Sequence, residues 1–249
     1  MTDAPQFPPL LTGHAVAPPQ DALALACQRA ASGKAGAGDI FWSRSHNNLD
    51  VAIVLEPEVK VSQAREMLFV AMVALGDSVG ALSPPEVGIF YRWPGVVLAN
   101  GAEVGRARLV MADSDGGEAP PQWLSVGVTL AVRPERDVPD PGRDLDRTTL
   151  WDEGCGELGR NTLLESYSRH LKTWIHNWET DGARPVREAW LARAEGRGET
   201  VTFTHGNAQI TGTFLGLDEA GGLVLKAADT TTVLDLATAL AADCPPWDR

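Results

Sequence analysis

The chain has little cysteine: three in 249 residues, Cys27, Cys155 and Cys244, widely separated. An odd, scattered set of this kind makes neither a disulfide framework nor a metal site. Clusters of basic residues are missing too. Lys and Arg number 21 against 33 Asp and Glu, a formal net charge of −12, and the cations are interspersed with carboxylates. That argues against a nucleic-acid partner, because phosphate binding depends on clustered positive charge. No apolar run approaches the roughly 20 residues that span a bilayer, and Met1 to Leu11 hold no basic segment followed by an apolar one. Neither a membrane span nor a signal peptide is expected, and the reading is of a cytoplasmic protein. Internal repeats and low-complexity tracts are absent as well.

What is present is an ordinary globular composition, 44% hydrophobic and 22% charged, long enough for one large domain and a small one. Residues 1–20 are Pro-rich and are expected to lie extended over the surface. Asp21 to Ser32 is helical in composition, with Leu23, Ala26, Cys27 and Ala30 on one face and Gly33 as a stop. Strands are expected at Ile40 to Ser43 and, after a polar turn at His46-Asn47-Asn48, at Leu49 to Leu55. The spacing of Ala64, Met67, Leu68, Ala71, Met72, Leu75 and Val79 predicts one helix from Ser62 to about Leu82, with Ser62 capping it. Val87 to Trp93, Val96 to Ala99, Gly105 to Met111 and Trp123 to Val132 read as strands, and Asp113 to Pro121 and residues 133–160 as irregular. Helices follow at Leu163 to Glu179 and Pro185 to Ala194. After Gly196-Arg197-Gly198 come short strands at Thr200–Thr204, Gln209–Leu217, Gly222–Lys226 and Thr230–Leu234, with turns at His205-Gly206-Asn207 and Asp218–Gly221. The division expected is residues 1–195 and residues 196–249.

The run Arg92-Trp93-Pro94-Gly95-Val96-Val97-Leu98-Ala99-Asn100-Gly101-Ala102-Glu103-Val104-Gly105-Arg106 resembles the active-site hairpin of the biotin and lipoate protein ligases. That family writes a basic residue, Trp-Pro-Asn-Asp, an apolar run, often Asn-Gly, then Lys and a glycine-containing strand. The element order from about Asp21 to Leu240 is similar to the family's catalytic region and C-terminal domain. The run Gly212-Thr213-Phe214-Leu215-Gly216-Leu217-Asp218-Glu219 also looks like part of its barrel. The resemblance implies an α+β fold: a mixed or largely antiparallel sheet with packed helices, like class II aminoacyl-tRNA synthetases and biotin ligases, followed by a small SH3-like β-barrel. It also implies ATP with biotin or lipoate as ligands if the family activity is retained, and a biotinyl or lipoyl carrier domain, or a small acid, as partner.

The family's Asn and Asp have become Gly95 and Val96, and three further departures bear on activity. The family's catalytic lysine falls on Glu103. Two unit charges ~4 Å apart near a surface interact by roughly 4 kcal/mol, so a carboxylate there repels the group a lysine attracts. Arg106 is a replacement cation only if the strand bulges, since an offset of three otherwise points to the opposite face. Matching Gly38-Asp39-Ile40 and Asn48-Leu49 to the family's strand starts leaves only eight residues between Asp39 and Asn48, so its arginine-rich ligand loop is deleted. At Val126-Gly127-Val128-Thr129-Leu130-Ala131, Gly127 survives, but Thr129 and Ala131 replace the family's second Gly and its Asn. The candidate vestigial ligand pocket is Asn48, Arg92, Trp93, Glu103, Gly105, Arg106 and Gly127, with no catalytic residue assigned. The expected function is a divergent ligase-like protein that lacks standard adenylation and binds a small ligand or carrier domain. The alternative is an active ligase or acyltransferase with a relocated cation. Arg106 and Arg108 share a strand face suited to an anion. His170 and His176, six apart on a helix, do not converge on a metal.

Overall fold

A computed structural model describes residues 4–113, 119–134, 145–205, 208–228 and 230–242. Cys244, the centre of the loop before Pro121, residues 135–144 and the tip of the His205 turn lie outside the described residues. The elements are β1 (Thr12–Val16), α1 (Ala22–Ala31), β2 (Asp39–Ser43), β3 (Asn48–Leu55), α2 (Val61–Ala64), α3 (Met67–Gly80), β4 (Ile89–Arg92), β5 (Val96–Ala99), β6 (Ala102–Met111) and β7 (Leu124–Ala131). They continue as α4 (Arg160–Asp181), α5 (Ala183–Ala192), β8 (Thr200–His205), β9 (Ala208–Leu217), β10 (Leu223–Ala227), β11 (Thr230–Leu234) and α6 (Leu236–Ala242). The class is α+β, as the resemblance implied. A seven-stranded sheet runs β1-β2-β3-β7-β6-β5-β4, and a separate antiparallel sheet runs β11-β10-β9-β8.

Two expectations need correction, and one element is new. The N-terminal segment is not merely extended: β1 pairs in parallel with β2, from Thr12 opposite Asp39 to Val16 opposite Ser43, making the large sheet mixed. Only Val16 of β1 is buried, so no apolar alternation marked the strand. The expected helix from Ser62 to Leu82 is two helices. Between them the backbone tightens into three-residue bonds, Glu66 N–H to Gln63 O, Leu68 N–H to Arg65 O and Phe69 N–H to Glu66 O. Lys60, not Ser62, holds the N-cap, and without a side-chain bond. Finally, the chain adds α6, which had no expectation.

The core explains the layering. Leu49, Val51 and Ile53 of β3 and Val126, Val128 and Leu130 of β7 all point to the side covered by α3 and α4. Helix α3 is buried at almost every position because α4, α5 and the sheet surround it, which makes it hydrophobic all round rather than striped. Trp190, Tyr91 and Phe69 meet beneath it, ring to ring at 5.4–5.9 Å. Among the described residues the opposite face carries α1, packed through Leu23, Ala26, Cys27 and Ala30 against Phe41, Ala52 and Val54. Asp21 caps α1 by accepting from Ala24 N–H at 2.9 Å.

Candidate functional site

Strand pairing alone sets a row of side chains across the α1 side of the large sheet. Arg92 stands opposite Val96, Val96 opposite Arg106, Arg106 opposite Thr129 and Thr129 opposite Asp50. Cross-strand neighbours of this kind share a face. Asn48 lies two residues before Asp50 on that face, and Arg108 two after Arg106. Helix α1 packs on β2, β3 and β7, leaving the row beside its N-terminus.

The β5–β6 register answers the question posed by Glu103. Val97 pairs with Gly105 but Leu98 with Glu103, so one extra residue is accommodated and the strand bulges there. The bulge turns Glu103 and Arg106 to the same side, and Arg106 Nε donates to Glu103 Oε1 at 2.8 Å. Backbone bonds fix Glu103 further: its N–H donates to Asp146 O, and its carbonyl accepts from Thr148 N–H. The other cations of the row are also engaged. Arg108 Nη2 donates to Asp21 Oδ2 at 2.8 Å. Arg92 forks onto Glu195 at 2.6 and 3.0 Å, which holds its guanidinium above the usual arginine range.

Asp50 is the most perturbed acid here. Burial and then the neighbouring Asp21 charge push its carboxyl up to about 6, against the Ala22 N–H that it accepts at 3.2 Å and the Arg108 charge. A charged residue inside the apolar strand Leu49–Leu55 was the sequence signal for it, and it went unread. The Asp21 bond to Arg108 had no sequence signal, since the pair is 87 residues apart.

Of the expected pocket, Asn48, Arg92, Glu103 and Arg106 lie on this face, and Gly127 lies beneath α1. A Cβ on Gly127 would sit 3.1 Å from Leu23 Cβ, so its smallness lets the helix approach the sheet. Gly105 and Trp93 turn elsewhere. A Cβ on Gly105 would fall 2.1 Å from Thr129 O, so that glycine serves strand contact. Trp93 belongs to the core on the α3 side. Its Nε1 donates to Gly221 O at 3.0 Å, and its ring meets Phe203 edge-on at 6.1 Å. Residues 44–47 alone join β2 to β3, so no loop overhangs the row from that connection. Among the described residues no cluster of His, Cys, Asp and Glu is arranged to hold a metal, and no helix is long and apolar enough to cross a membrane.

Comparison with known proteins follows the same lines. Residues 7–192 match the biotin/lipoate A/B protein ligase family, and residues 197–234 the biotin protein ligase C terminal domain. A biotin–[acetyl-CoA-carboxylase] ligase of Paracoccus denitrificans is 30% identical over 187 residues, 74% of this chain and 76% of that protein. A biotin protein ligase-like protein of unknown function from Silicibacter sp. TM1040 superposes with a TM-score of 0.84 at 37% identity, covering 95% of this chain and 99% of that one. The biotin protein ligase of Aquifex aeolicus in complex with biotin and ATP shares the fold, with a TM-score of 0.70 at 16% identity over 91% of this chain and 96% of that one. Hairpin, sheet order, C-terminal sheet and sequence thus converge, and the chain belongs to the biotin/lipoate A/B protein ligase family.

Proposed function

We propose that this protein is a ligase-like binder that holds a small carboxylic acid or a biotinyl or lipoyl carrier domain on the α1 face of its sheet, without the family's standard adenylation. The observation that carries this reading is the Glu103–Arg106 pair. Glu103 stands where the resemblance puts the catalytic lysine, and the cation nearest to it is already bonded to it. Losing one preorganised donor to a developing charge costs about 10²–10³ in rate. The short connection at residues 44–47 supports the same reading, since it supplies no arginine-rich cover for a triphosphate. The protein works in the cytoplasm on this view. Residues 1–195 and 196–249 act as separate domains, a division supported by family matches that end at residue 192 and resume at 197.

A second reading has its own support. The bulge brings Arg106 to the sheet face, and the Paracoccus denitrificans relative is named as a ligase. Here the chain is an active ligase or acyltransferase, with Arg106 as relocated cation, joining biotin or lipoate to a carrier-domain lysine. Asn48, Thr129 and Arg108 would then help to hold the acid and ATP. ATP–pyrophosphate exchange with biotin, lipoate and octanoate separates the two. The binder shows no exchange above blank, and at least one of the acids raises its melting temperature. Robust exchange with any acid, lost in Arg106→Ala, overturns that reading and establishes the ligase. Neither exchange nor a thermal shift overturns both.

A further inference from the structure

On the side of the sheet away from this row, a groove of about 780 Å³ runs between the N-terminal arm and α4. That volume is within the range of small-molecule sites, roughly 300–1,000 Å³. Its walls are Pro8 and Leu11 of the arm, Ile53 and Leu55 of β3, and Ile175 of α4. None of these side chains carries a polar atom; Ile53 is buried and the other four are half-buried.

The polar residues of the groove come mainly from one face of α4. Arg169, Lys172, Thr173 and His176 follow one another at helical spacing, and Glu179 comes last. From Arg169 to Glu179 the helix rises about 15 Å, at roughly 1.5 Å per residue. Lys172 Nζ donates to Pro9 O at 3.0 Å, which ties it to the arm. Glu179 also lines a neighbouring cavity of about 920 Å³ that includes Glu56, Glu58, Glu66 and Glu219. The groove is therefore cationic at one end, anionic at the other, and apolar between. Leu10, Ala37 and Gly38 complete the lining. Leu10 is 84% exposed and sits at a φ of 77° in the turn that Leu11 N–H closes onto Pro8 O, beside the apolar walls.

We infer that this groove binds an amphipathic monocarboxylate. Its apolar chain lies along Leu11, Ile53, Leu55 and Ile175, its carboxylate is held between Arg169 and Lys172, and Leu10 covers the chain. Charge complementarity sets the direction, because a carboxylate at the other end would face Glu179. The inference is independent of the proposed function, since the groove and the Glu103–Arg106 row lie on opposite faces of the sheet.

The test is isothermal titration of the full chain with decanoate and decan-1-ol. Decanoate is expected to bind saturably, and the alcohol about tenfold or more weaker, as expected when two charge contacts are lost. Replacing both Arg169→Ala and Lys172→Ala brings decanoate down to the level of the alcohol. Ile175→Arg fills the groove and abolishes binding, with an unchanged circular dichroism spectrum confirming the fold. Arg106→Ala leaves intact the decanoate binding that depends on Arg169 and Lys172. Equal binding of decanoate and decan-1-ol, no saturable decanoate binding, or loss of all binding in Arg106→Ala would each overturn the inference. So would concentration-dependent dimerisation abolished by Leu10→Ser, which would make the groove a contact between two copies of this chain.

Discussion

The same strands build both faces of the large sheet, and the two faces follow different rules. Toward α3 and α4, Leu49, Val51, Ile53, Val126, Val128 and Leu130 are each at most 2% exposed. Hydrocarbon of this kind is stabilised by burial alone, roughly 1.5–3 kcal/mol for each large side chain, and needs no particular partner. Toward α1, beyond the hydrocarbon under that helix, come Asp50, Thr129, Arg106 and Arg108, and at those positions polar partners decide the outcome. Arg108 needs Asp21, Arg106 has Glu103, and Asp50 has only a backbone N–H besides its charged neighbours. One face can drift in sequence while keeping its volume. The other can change its chemistry through a single substitution, as the resemblance implies at Glu103.

The largest contrast is at Trp93, which the hairpin motif assigns to the ligand and the structure assigns to the core. Trp93→Ala empties a buried indole site and leaves Gly221 O without its donor, a loss of about 3–5 kcal/mol by analogy with other buried aromatic truncations. Gly221 itself is fixed there, because at φ 79° a Cβ would lie 2.5 Å from Phe69. Urea unfolding of Trp93→Ala against wild type measures the cost. A loss below ~1 kcal/mol would remove Trp93 from the load on the α3 face and reopen its place beside the ligand.

Asp50 gives the next largest effect, with the opposite sign. Burial and the Asp21 charge push its folded carboxyl up to about 6, well above the ordinary aspartate range, so the folded state favours the neutral form. Below about pH 4 the group is protonated whether folded or unfolded, and its contribution is fully present. That contribution is lost as pH rises through about 6, at a cost on the order of 2 kcal/mol for a half-buried group. Asp50→Asn keeps an acceptor for Ala22 N–H and removes the charge. It should therefore stabilise the protein by that order at pH 8 and change little at pH 4, measured by denaturant unfolding at both. An equal effect at the two pH values would mean that the charge at Asp50 costs nothing where it sits.

The two faces also differ in how much of them the sequence disclosed. The α3 face was legible because apolar periodicity is a local signal: Met67 to Val79 reads as a helix, and Leu49 to Leu55 as a strand. Its misreadings were local too. Buried Glu66 interrupts a periodicity that seemed continuous, and accepts from Trp178 Nε1 at 2.7 Å, a contact 112 residues away. The charged face was legible as a set of residue types without their pairings. Glu103 and Arg106 were both named, yet whether they meet depends on a bulge written in the β5–β6 register. Gly105 and Gly127 enter the expected pocket through the family resemblance, which marks a close approach at each. The sequence does not say whether a ligand, a helix or a strand makes that approach.

The smallest effect on stability, and the sharpest for function, is expected at Glu103. Its bond to Arg106 is a half-exposed pair three residues apart, and such pairs contribute ~1 kcal/mol or less. Glu103→Gln should therefore leave the unfolding free energy nearly unchanged, while removing the negative charge that competes for Arg106. If this face holds a carboxylate, Glu103→Gln should tighten the binding of whichever acid shifts the wild-type melting temperature, by up to about tenfold for ~1.4 kcal/mol of relieved repulsion. Arg106→Ala should weaken the same acid. Isothermal titration with both variants reads the two effects. A Glu103→Gln protein that binds more weakly would make Glu103 part of the recognition surface, contacting a donor on the ligand. The face would then be organised around a cationic or hydrogen-bond-donating group rather than an acid, and the contrast with the hydrocarbon face would remain while its chemical meaning changed.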